Sequence, residues 1–345
     1  MGYAERSRKI DMLSPEEWID RATEIINSQW VASAPGRTAS QTNEERRQIL
    51  GLPVGQVNTS YMTDDRWFQP GHPGLNLIDW QNEAFRKGLL QNYQLSASGG
   101  TEAVRYYVSG NYSSQQGMII NTDYTAYSAR ANVEFNASRK LKFGLNLNPT
   151  YSVNNDPGVE GKDDILHQLI GFTPVQEDTM GLYPNIGKNS SYRWSNSPNS
   201  PIGKLENVIG QSKRFRTISS IYGEWQPIKG LLAKTTVNLD NTDNQTKGYR
   251  PYIVASNLAT RQAQGAAQAS GSFNTYRKQT LLNENTLNYN TTFNGMHDIS
   301  ALAGMGYYQD KIERSSLSSQ GGFRNPFITT LNYANGVTGN TFETK

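Results

Sequence analysis

The side chains best able to bind a metal or attack a substrate are scarce in this sequence. The 345 residues include no cysteine, which excludes disulfides, thiolate catalysis and cysteine-ligated zinc sites. The three histidines, His72, His167 and His297, lie far apart and lack the spacing of metal ligands. We interpret them as surface or loop residues, so the sequence predicts no metal site.

Two acidic motifs also lack the residues that a functional site would require. The stretch "DNTDN" at 240–244 resembles the start of a calcium-binding loop, but the required glycine and terminal glutamate are missing; we interpret it as a solvated loop. Asp163 and Asp164 fit the first turn of a helix better than a catalytic pair. No nucleophile with a partner base can be named. The sequence therefore predicts no enzyme, no catalytic, metal-binding or cofactor-binding residue, and no cofactor.

Aromatic residues in the long connections are the remaining candidates for ligand contact. Aromatic faces pack well against sugar rings and peptide side chains. The same residues could instead pack loops together or meet a partner protein, and both alternatives stay open at this point. No substrate-binding residue is assigned. The residues concerned are Trp18, Trp30, Trp67, Trp194, Tyr183 and Tyr192.

Composition argues against two classes of protein and favours β-structure. Hydrophobic residues make up 36% of the chain and the net charge is +3, with a mean hydropathy of −0.66. Basic residues are scattered among acidic ones, so nucleic-acid binding is not expected. No apolar run reaches the length of about 18 residues that a membrane-spanning helix needs. The 19 tyrosines and 31 glycines are typical of β-structure with many turns.

The elements that would position any site are long strands. In "LKFGLNLNPTYSV", 141–153, the odd positions are mostly apolar and the even positions are polar or glycine. The same alternation appears at 124–137 and in "RYYVSGNYSS" from Arg105 onward. Period-two alternation predicts strands with one apolar and one polar face. Further strands are predicted at 91–98, 103–113, 213–226, 231–241, 279–293 and 297–311.

The lengths of the connections alternate along the chain. Short turns are predicted at 99–102, 137–140, 227–230 and 294–295, and the last is an Asn-Gly hairpin turn. Long connections fall at 114–123, 154–212, 242–278 and from about 312 onward. Short turns on one side and long loops on the other are the plan of an outer-membrane β-barrel. The alternative is a soluble β-sandwich, whose strands are usually shorter, about 5–6 residues.

Helices are predicted within the long connections. In "LSPEEWIDRATEIINSQW", Ser14 is the expected N-cap, Pro15 occupies the first turn and Glu17 completes a capping box. Leu13, Trp18, Ala22 and Ile25 or Ile26 would share one face. Two more helices are predicted at 77–88, ending at Gly88, and at 163–171.

Several ordered motifs resemble the SusC/RagA family of TonB-linked outer-membrane transporters. They cover nearly the whole chain and include "KIDMLSPEEW", "DWQNEAFRKG", "NYQLSASGGTEAVRYYVSG", "QQGMIINTDYTAYSARAN", "LKFGLNL", "SPIGKLEN" and "WQPIKGLLAKTTVNLD". The resemblance implies an all-β fold: part of a large antiparallel transmembrane barrel of about 22 strands with a plugged lumen. It implies import of oligosaccharides or peptides across the cell outer membrane of Bacteroidota-type bacteria, with a SusD-like lipoprotein and the TonB complex as partners.

The sequence is expected to cover only part of what members of that family contain. Residues 1–345 are expected to form one partial barrel domain of about eight or nine strands, without the plug, the TonB-contacting segment or a signal peptide. Such a piece would leave two sheet edges unpaired, which a bilayer does not tolerate. We therefore expect a fragment that contacts membrane lipid but does not transport alone. The alternative function is that of a secreted or surface β-sandwich adhesin that binds glycans.

Overall fold

The structure is a computed structural model that describes residues 1–158, 165–178, 192–196, 200–254, 269–294, 296–325 and 327–344. Within these residues, the chain forms a ten-stranded antiparallel sheet and a separate two-stranded sheet. The strands are β1 (Gly2–Ala4), β2 (Leu75–Leu77), β3 (Gly88–Gly100), β4 (Val104–Gln116), β5 (Asp123–Ser138), β6 (Leu141–Asn155), β7 (Val175–Glu177), β8 (Ile209–Trp225), β9 (Leu231–Arg250), β10 (Ser270–Phe293), β11 (His297–Phe323) and β12 (Ala334–Thr344).

The large sheet is a meander in which neighbours in sequence pair in space. Its order is β1-β3-β4-β5-β6-β8-β9-β10-β11-β12, while β2 pairs with β7. A sandwich would require two facing sheets, whereas these strands share one continuous hydrogen-bonded surface. The structure therefore disfavours the β-sandwich and confirms the all-β antiparallel prediction.

All eight predicted strands are present, but three extend well beyond the predicted ends. β9 continues to Arg250, β10 begins at Ser270 and β11 runs to Phe323, so the predicted connections at 242–278 and after 312 were too long. The added residues, such as "TDNQTKGYR" at 242–250, are mostly polar, and their few apolar members do not alternate. Hydrogen bonds to neighbouring strands hold them in the sheet without any hydrophobic alternation to reveal them.

The ten strands exceed the eight or nine counted from the sequence. The two edge strands account for the difference. β1 has only three residues, and β12 reads "ANGVTGNTFET", which is polar and largely exposed. Neither carries an apolar face that periodicity could detect.

The connections do alternate in length. Short turns join β3 to β4, β5 to β6, β8 to β9 and β10 to β11, and all four lie at one end of the sheet. The backbone there requires positive φ at Gly230 (88°) and at Asn294 (58°), which suits glycine and asparagine in tight turns. Gly295, in the predicted Asn-Gly turn, lies outside the described residues. The long connections leave from the opposite end, here called the long-loop end.

Among the described residues, five α-helices lie in these long connections: α1 (Pro15–Ser33), α2 (Asn43–Ile49), α3 (Trp80–Ala84), α4 (Ile165–Gly171) and α5 (Pro201–Asn207). The predicted capping box of α1 is present, since the Glu17 amide donates to Ser14 Oγ at 3.1 Å and the Ser14 amide donates to Glu17 Oε2 at 2.7 Å. The predicted helix at 163–171 corresponds to α4, while Asp163 and Asp164 lie outside the described residues. No helix was predicted at α2 or α5.

Two helix predictions were partly wrong. Ile19, Ile26 and Trp30 form the buried face of α1, whereas Leu13 is 52% exposed. Neighbouring elements decide which part of a broad apolar stripe becomes buried. The helix expected at 77–88 is limited to α3, and Gly88 begins β3 instead of ending a helix. The carbonyl of Gln116 lies so close that a Cβ on Gly88 would fall 2.1 Å from its oxygen; this is the reason for glycine there.

Candidate functional site

From β4 to β9, the large sheet presents two chemically distinct faces. Because cross-strand partners share a face, the register defines rows of residues that cross the strands. One row joins, from β4 to β9, Tyr106, Val133, Leu145, Ile221 and Val237. Leu145 is 37% exposed and Ile221 is 58% exposed. We call this surface the apolar face; its large side chains are not covered by any described part of the chain.

An aromatic row crosses the apolar face near the long-loop end. Its members lie opposite one another on five neighbouring strands. They are Tyr93, Tyr112, Tyr127, Tyr151 and Phe215. The Tyr93 and Tyr112 ring centroids are 6.2 Å apart and those of Tyr112 and Tyr127 are 5.1 Å apart. Cross-strand aromatic pairs of this kind stabilise a sheet, and rings near strand ends are common in membrane barrels.

The apolar band crosses the strands at a slope. Tyr151 is the last aromatic residue of the apolar run on β6, and its row reaches Glu313 on β11. On β11 the apolar run already ends at Tyr307, six residues earlier. Over four strand spacings this shift corresponds to a tilt of about 45°. Strands in outer-membrane barrels are tilted by about 35–45°. The apolar band therefore runs parallel to the membrane plane only if the strands are tilted as in a barrel.

The opposite face, here called the polar face, carries hydrogen-bonding and charged groups. The row adjoining Leu145 contains Asn132, Asn146, Ser220 and Asn238. Uncharged amides and hydroxyls in this position suit contact with water or with other polar protein, not with lipid tails.

A charged network occupies the polar face near the short turns. Lys142 pairs with Glu134 at 3.1 Å and Lys234 pairs with Glu224 at 2.9 Å. The Tyr222 hydroxyl donates to Glu134 at 2.8 Å, and the Lys234 ammonium lies 4.6 Å from the centre of the Tyr222 ring. Such charges would be strongly unfavourable against hydrocarbon. The polar face therefore cannot be the one that meets lipid.

The Tyr222 ring explains the glycine in the motif "LKFGLNL". Gly144 is the cross-strand partner of Tyr222, and a Cβ on Gly144 would lie 2.1 Å from Tyr222 Cε1. An aromatic ring lying across a strand glycine covers the exposed backbone and fixes the register. This motif is therefore a structural one.

The "DNTDN" stretch lies inside β9, which corrects its interpretation as a loop. Asp240 accepts two hydrogen bonds from Arg216 on the polar face, at 3.0 and 2.7 Å. Asp243 accepts one from Arg277 on the apolar face, at 2.6 Å. Alternate residues of a strand point to opposite sides, so these two carboxylates cannot converge on one cation.

The helices and the small β2–β7 sheet form a packed layer at the long-loop end, called the helical layer here. A bidentate ion pair ties its distant parts together: Arg66 donates to Glu177 at 2.7 and 2.9 Å and to Asp64 at 2.7 Å. These carboxylates raise the pKa of Arg66 above its usual value. The pair joins residues 111 positions apart, so the long connection after β6 is anchored to the segment before β3.

Aromatic side chains form the core of the helical layer. Trp67 contacts Trp18 and Trp194, with ring centroids 5.7 and 5.6 Å apart, and its Nε1 donates to the Tyr192 hydroxyl at 2.6 Å. The Tyr192 hydroxyl in turn donates to Asp64 at 3.2 Å. Burial, with the nearby Asp64 charge, raises the pKa of Tyr192, so the phenol stays neutral.

This arrangement favours packing as the role of the loop aromatics. Trp30, Trp67 and Tyr192 are almost fully buried. Trp18 and Trp194 pack against the cluster that contains Trp67 and Tyr192. Tyr183 lies outside the described residues. The two roles, packing and ligand contact, could not be distinguished from the sequence, because the cluster joins residues that lie more than 100 positions apart in the chain.

The structure brings none of the histidines into a metal site. His72 lies in a turn, His167 lies in α4 and His297 begins β11. Within the part of the chain that the structure describes, no group of three or more histidine, aspartate or glutamate side chains could hold a metal ion. In the same residues, no helix is long and apolar enough to cross a membrane.

Comparison with known proteins finds relatives of similar sequence. TonB-dependent receptor P3 of Formosa agariphila is 27% identical over 260 residues, which are 72% of this chain. TonB-dependent receptor P26 of the same organism is 26% identical over 235 residues. The chain is therefore similar in sequence to TonB-dependent receptors. These receptors are outer-membrane proteins of a transporter family rather than enzymes, as the sequence predicted. No protein-family model matches the chain.

Solved structures give the same fold. The RagAB peptide transporter matches with a TM-score of 0.66 and 17% identity over 99% of this chain. The RagAB peptide importer in its open-open state matches with a TM-score of 0.68 and 18% identity. The ten-stranded sheet thus corresponds to part of the RagA barrel.

The chain is much shorter than the proteins that it matches. It spans 25% and 22% of the two receptors and 37–38% of the RagAB chains. In the described residues, β1 and β12 form the two edges of the large sheet and do not pair with each other. Closure of a barrel requires further strands between these edges.

Proposed function

We propose that this chain forms part of the wall of a TonB-dependent outer-membrane transporter that imports oligosaccharides or peptides. The observation that carries the proposal is the two-faced sheet, with an uncovered apolar band on one side and paired charges on the other. The apolar face would contact lipid. The polar face would line a lumen closed by a plug, which would also provide the contact with TonB. Without the remaining strands, this part of the wall would not transport alone.

A SusD-like lipoprotein is the proposed partner on the outside. The helical layer lies at the long-loop end, which is the extracellular end in outer-membrane barrels. Its aromatic core and the Arg66 ion pair would hold it as a rigid rim. The matched structures are complexes named RagAB, which supports a partner seated on this rim.

The proposed function is testable by genetics. We expect deletion of the gene for the full-length protein to abolish growth on one oligosaccharide or oligopeptide supplied as sole carbon or nitrogen source. The wild-type gene should restore growth, and dissipating the proton-motive force should stop uptake of the labelled nutrient. Unchanged growth across a panel of both nutrient classes would contradict import as the function. Uptake that persists without the proton-motive force would contradict TonB dependence.

The orientation of the wall gives a separate prediction. We expect an epitope tag inserted within residues 175–200 of the full-length protein to be accessible to antibody on intact cells, because this connection leaves from the long-loop end. A tag inserted at Asn294 should be detected only after the outer membrane is permeabilised, because the short turns would be periplasmic. Detection of the Asn294 tag on intact cells would invert the orientation.

A further inference from the structure

The polar face carries an excess of positive charge between the middle of the strands and the long-loop end. Three neighbouring rows of residues cross the sheet there, and among the described residues they contain five cations and two carboxylates. We call this part of the polar face the basic patch. Its charged residues are Arg130, Asp240 and Asp310 in the first row, Arg216 and Lys278 in the second, and Arg214 and Arg314 in the third.

Nearer the short turns, the same face has no such excess. The rows there carry three cations and four carboxylates within the described residues. The positive excess is therefore confined to the half of the polar face that lies towards the long-loop end. The charged residues near the short turns are Arg105, Lys142, Lys234, Glu134, Glu224, Glu284 and Asp298.

Both carboxylates of the basic patch already have a cation beside them. Arg216 donates two hydrogen bonds to Asp240, at 3.0 and 2.7 Å. The Lys278 ammonium lies 3.0 Å from Asp310, which also accepts a hydrogen bond from Thr280 at 2.5 Å. These two pairs balance each other's charge, so the excess of the patch comes from its other cations.

Three arginines supply that excess. Arg130, Arg214 and Arg314 are exposed, and none of them forms an ion pair with a carboxylate in the part of the chain that the structure describes. Arg130 Nε donates to Asn148 Oδ1 at 2.9 Å, and the Arg314 guanidinium lies 5.2 Å from the centre of the Tyr276 ring. These contacts orient the two guanidinium groups without neutralising them.

The chemistry and spacing of these arginines suit an anion with several acidic groups. A guanidinium presents paired N–H donors that match the two oxygens of a carboxylate. Arg130 on β5 and Arg314 on β11 are separated by five strand spacings, or about 24 Å at about 4.8 Å per strand. A single carboxylate cannot reach both, whereas an oligomer with a carboxylate on each unit can.

We propose that the basic patch binds an oligomeric solute that carries several carboxylates, where this solute enters the lumen. Each of Arg130, Arg214 and Arg314 donates hydrogen bonds to one carboxylate. A concave wall of one charge also raises the local concentration of oppositely charged solutes. The inference rests on the proposed function, because it requires the polar face to line the lumen. It narrows the proposed nutrients to uronic-acid oligosaccharides or acidic oligopeptides, which share this chemistry. Acidic groups of a plug are the competing occupant.

The test measures binding to the full-length protein in an uncharged detergent by isothermal titration calorimetry. The acidic probes are hexagalacturonate and end-blocked hexaglutamate, and the neutral probes are maltohexaose and end-blocked hexaglutamine. We expect one acidic probe to bind about tenfold or more tightly than its neutral counterpart, and the identity of that probe distinguishes a sugar from a peptide. Its affinity should fall as the salt concentration is raised, because salt screens exposed charges.

Substitutions assign the binding to the patch. Arg214→Gln should weaken the acidic probe by about tenfold, the effect of losing a charged hydrogen bond, and should leave the neutral probe unchanged. Arg314→Gln should act in the same direction. Lys213→Gln is the matched control, because Lys213 adjoins Arg214 but points to the opposite face of β8. It should leave both affinities unchanged, and heat-modifiable gel migration should show that the variants are folded.

Several outcomes would overturn the inference. Equal wild-type affinities for the acidic and neutral probes, or no binding of either acidic probe, would do so without any variant. Unchanged binding of the acidic probe by folded Arg214→Gln would do so as well, and a simultaneous loss of thermal stability would assign Arg214 to the plug. If import of a neutral nutrient still required the gene and the proton-motive force, the proposed function would stand while this inference failed.

Discussion

Replacing Leu145 by arginine in the complete barrel is expected to reduce the free energy of unfolding by about 2–4 kcal/mol, the typical effect of a cation on a lipid-facing site near mid-bilayer. Leu145 stands in the middle of β6 on the apolar face, in the row with Tyr106 and Ile221. The guanidinium would have to leave water for hydrocarbon. Folding titrations of the full-length protein into lipid vesicles would measure the change.

The adjacent residue supplies the matched control. Asn146 points to the polar face, opposite Asn132 and Ser220, so Asn146→Arg should cost much less. Tyr106 and Val108 should respond to arginine as Leu145 does, whereas Ser109 should respond as Asn146 does. Equal losses of stability on the two faces, or a greater loss at Asn146, would show that lipid does not contact the apolar face.

Truncating Trp67 to alanine is expected to destabilise the helical layer by about 3–5 kcal/mol, the range for removing a buried tryptophan. Trp67 is 3% exposed and contacts two other tryptophans and Tyr192. The change leaves a cavity and removes a donor to the Tyr192 hydroxyl. Because layers of this kind can open without the barrel unfolding, the loss should appear as faster hydrogen exchange of the α1 amides.

The next residue in the chain is the control for that experiment. Phe68 is 62% exposed, so Phe68→Ala should change the opening free energy by less than about 0.5 kcal/mol, as expected of surface positions. Exchange in the β5–β6 hairpin should be unaffected in both variants. If the Trp67 and Phe68 variants exchanged α1 amides at the same rate, the aromatic cluster would not stabilise the layer.

The sequence by itself determined the elements whose signals are local. Alternation placed eight strands, and it assigned the correct face to Leu145 and Asn146, because side chains in a strand alternate with a fixed period. Ser14, Pro15 and Glu17 placed the start of α1, because a capping box is formed by residues only three positions apart. The order of short and long connections then predicted a barrel wall without any knowledge of which residues touch.

Only the tertiary structure decided features that depend on distant partners. The extensions of β9, β10 and β11 are mostly polar, and they are held by hydrogen bonds between strands and by the contact of Tyr249 with Phe323, which are distant in sequence. The buried face of α1, the Arg66–Glu177 ion pair and the aromatic cluster join segments about 50–170 positions apart in sequence. The row from Tyr93 to Phe215 became visible only once the register had aligned its members. Register is a relation between strands, so no single stretch of sequence contains it.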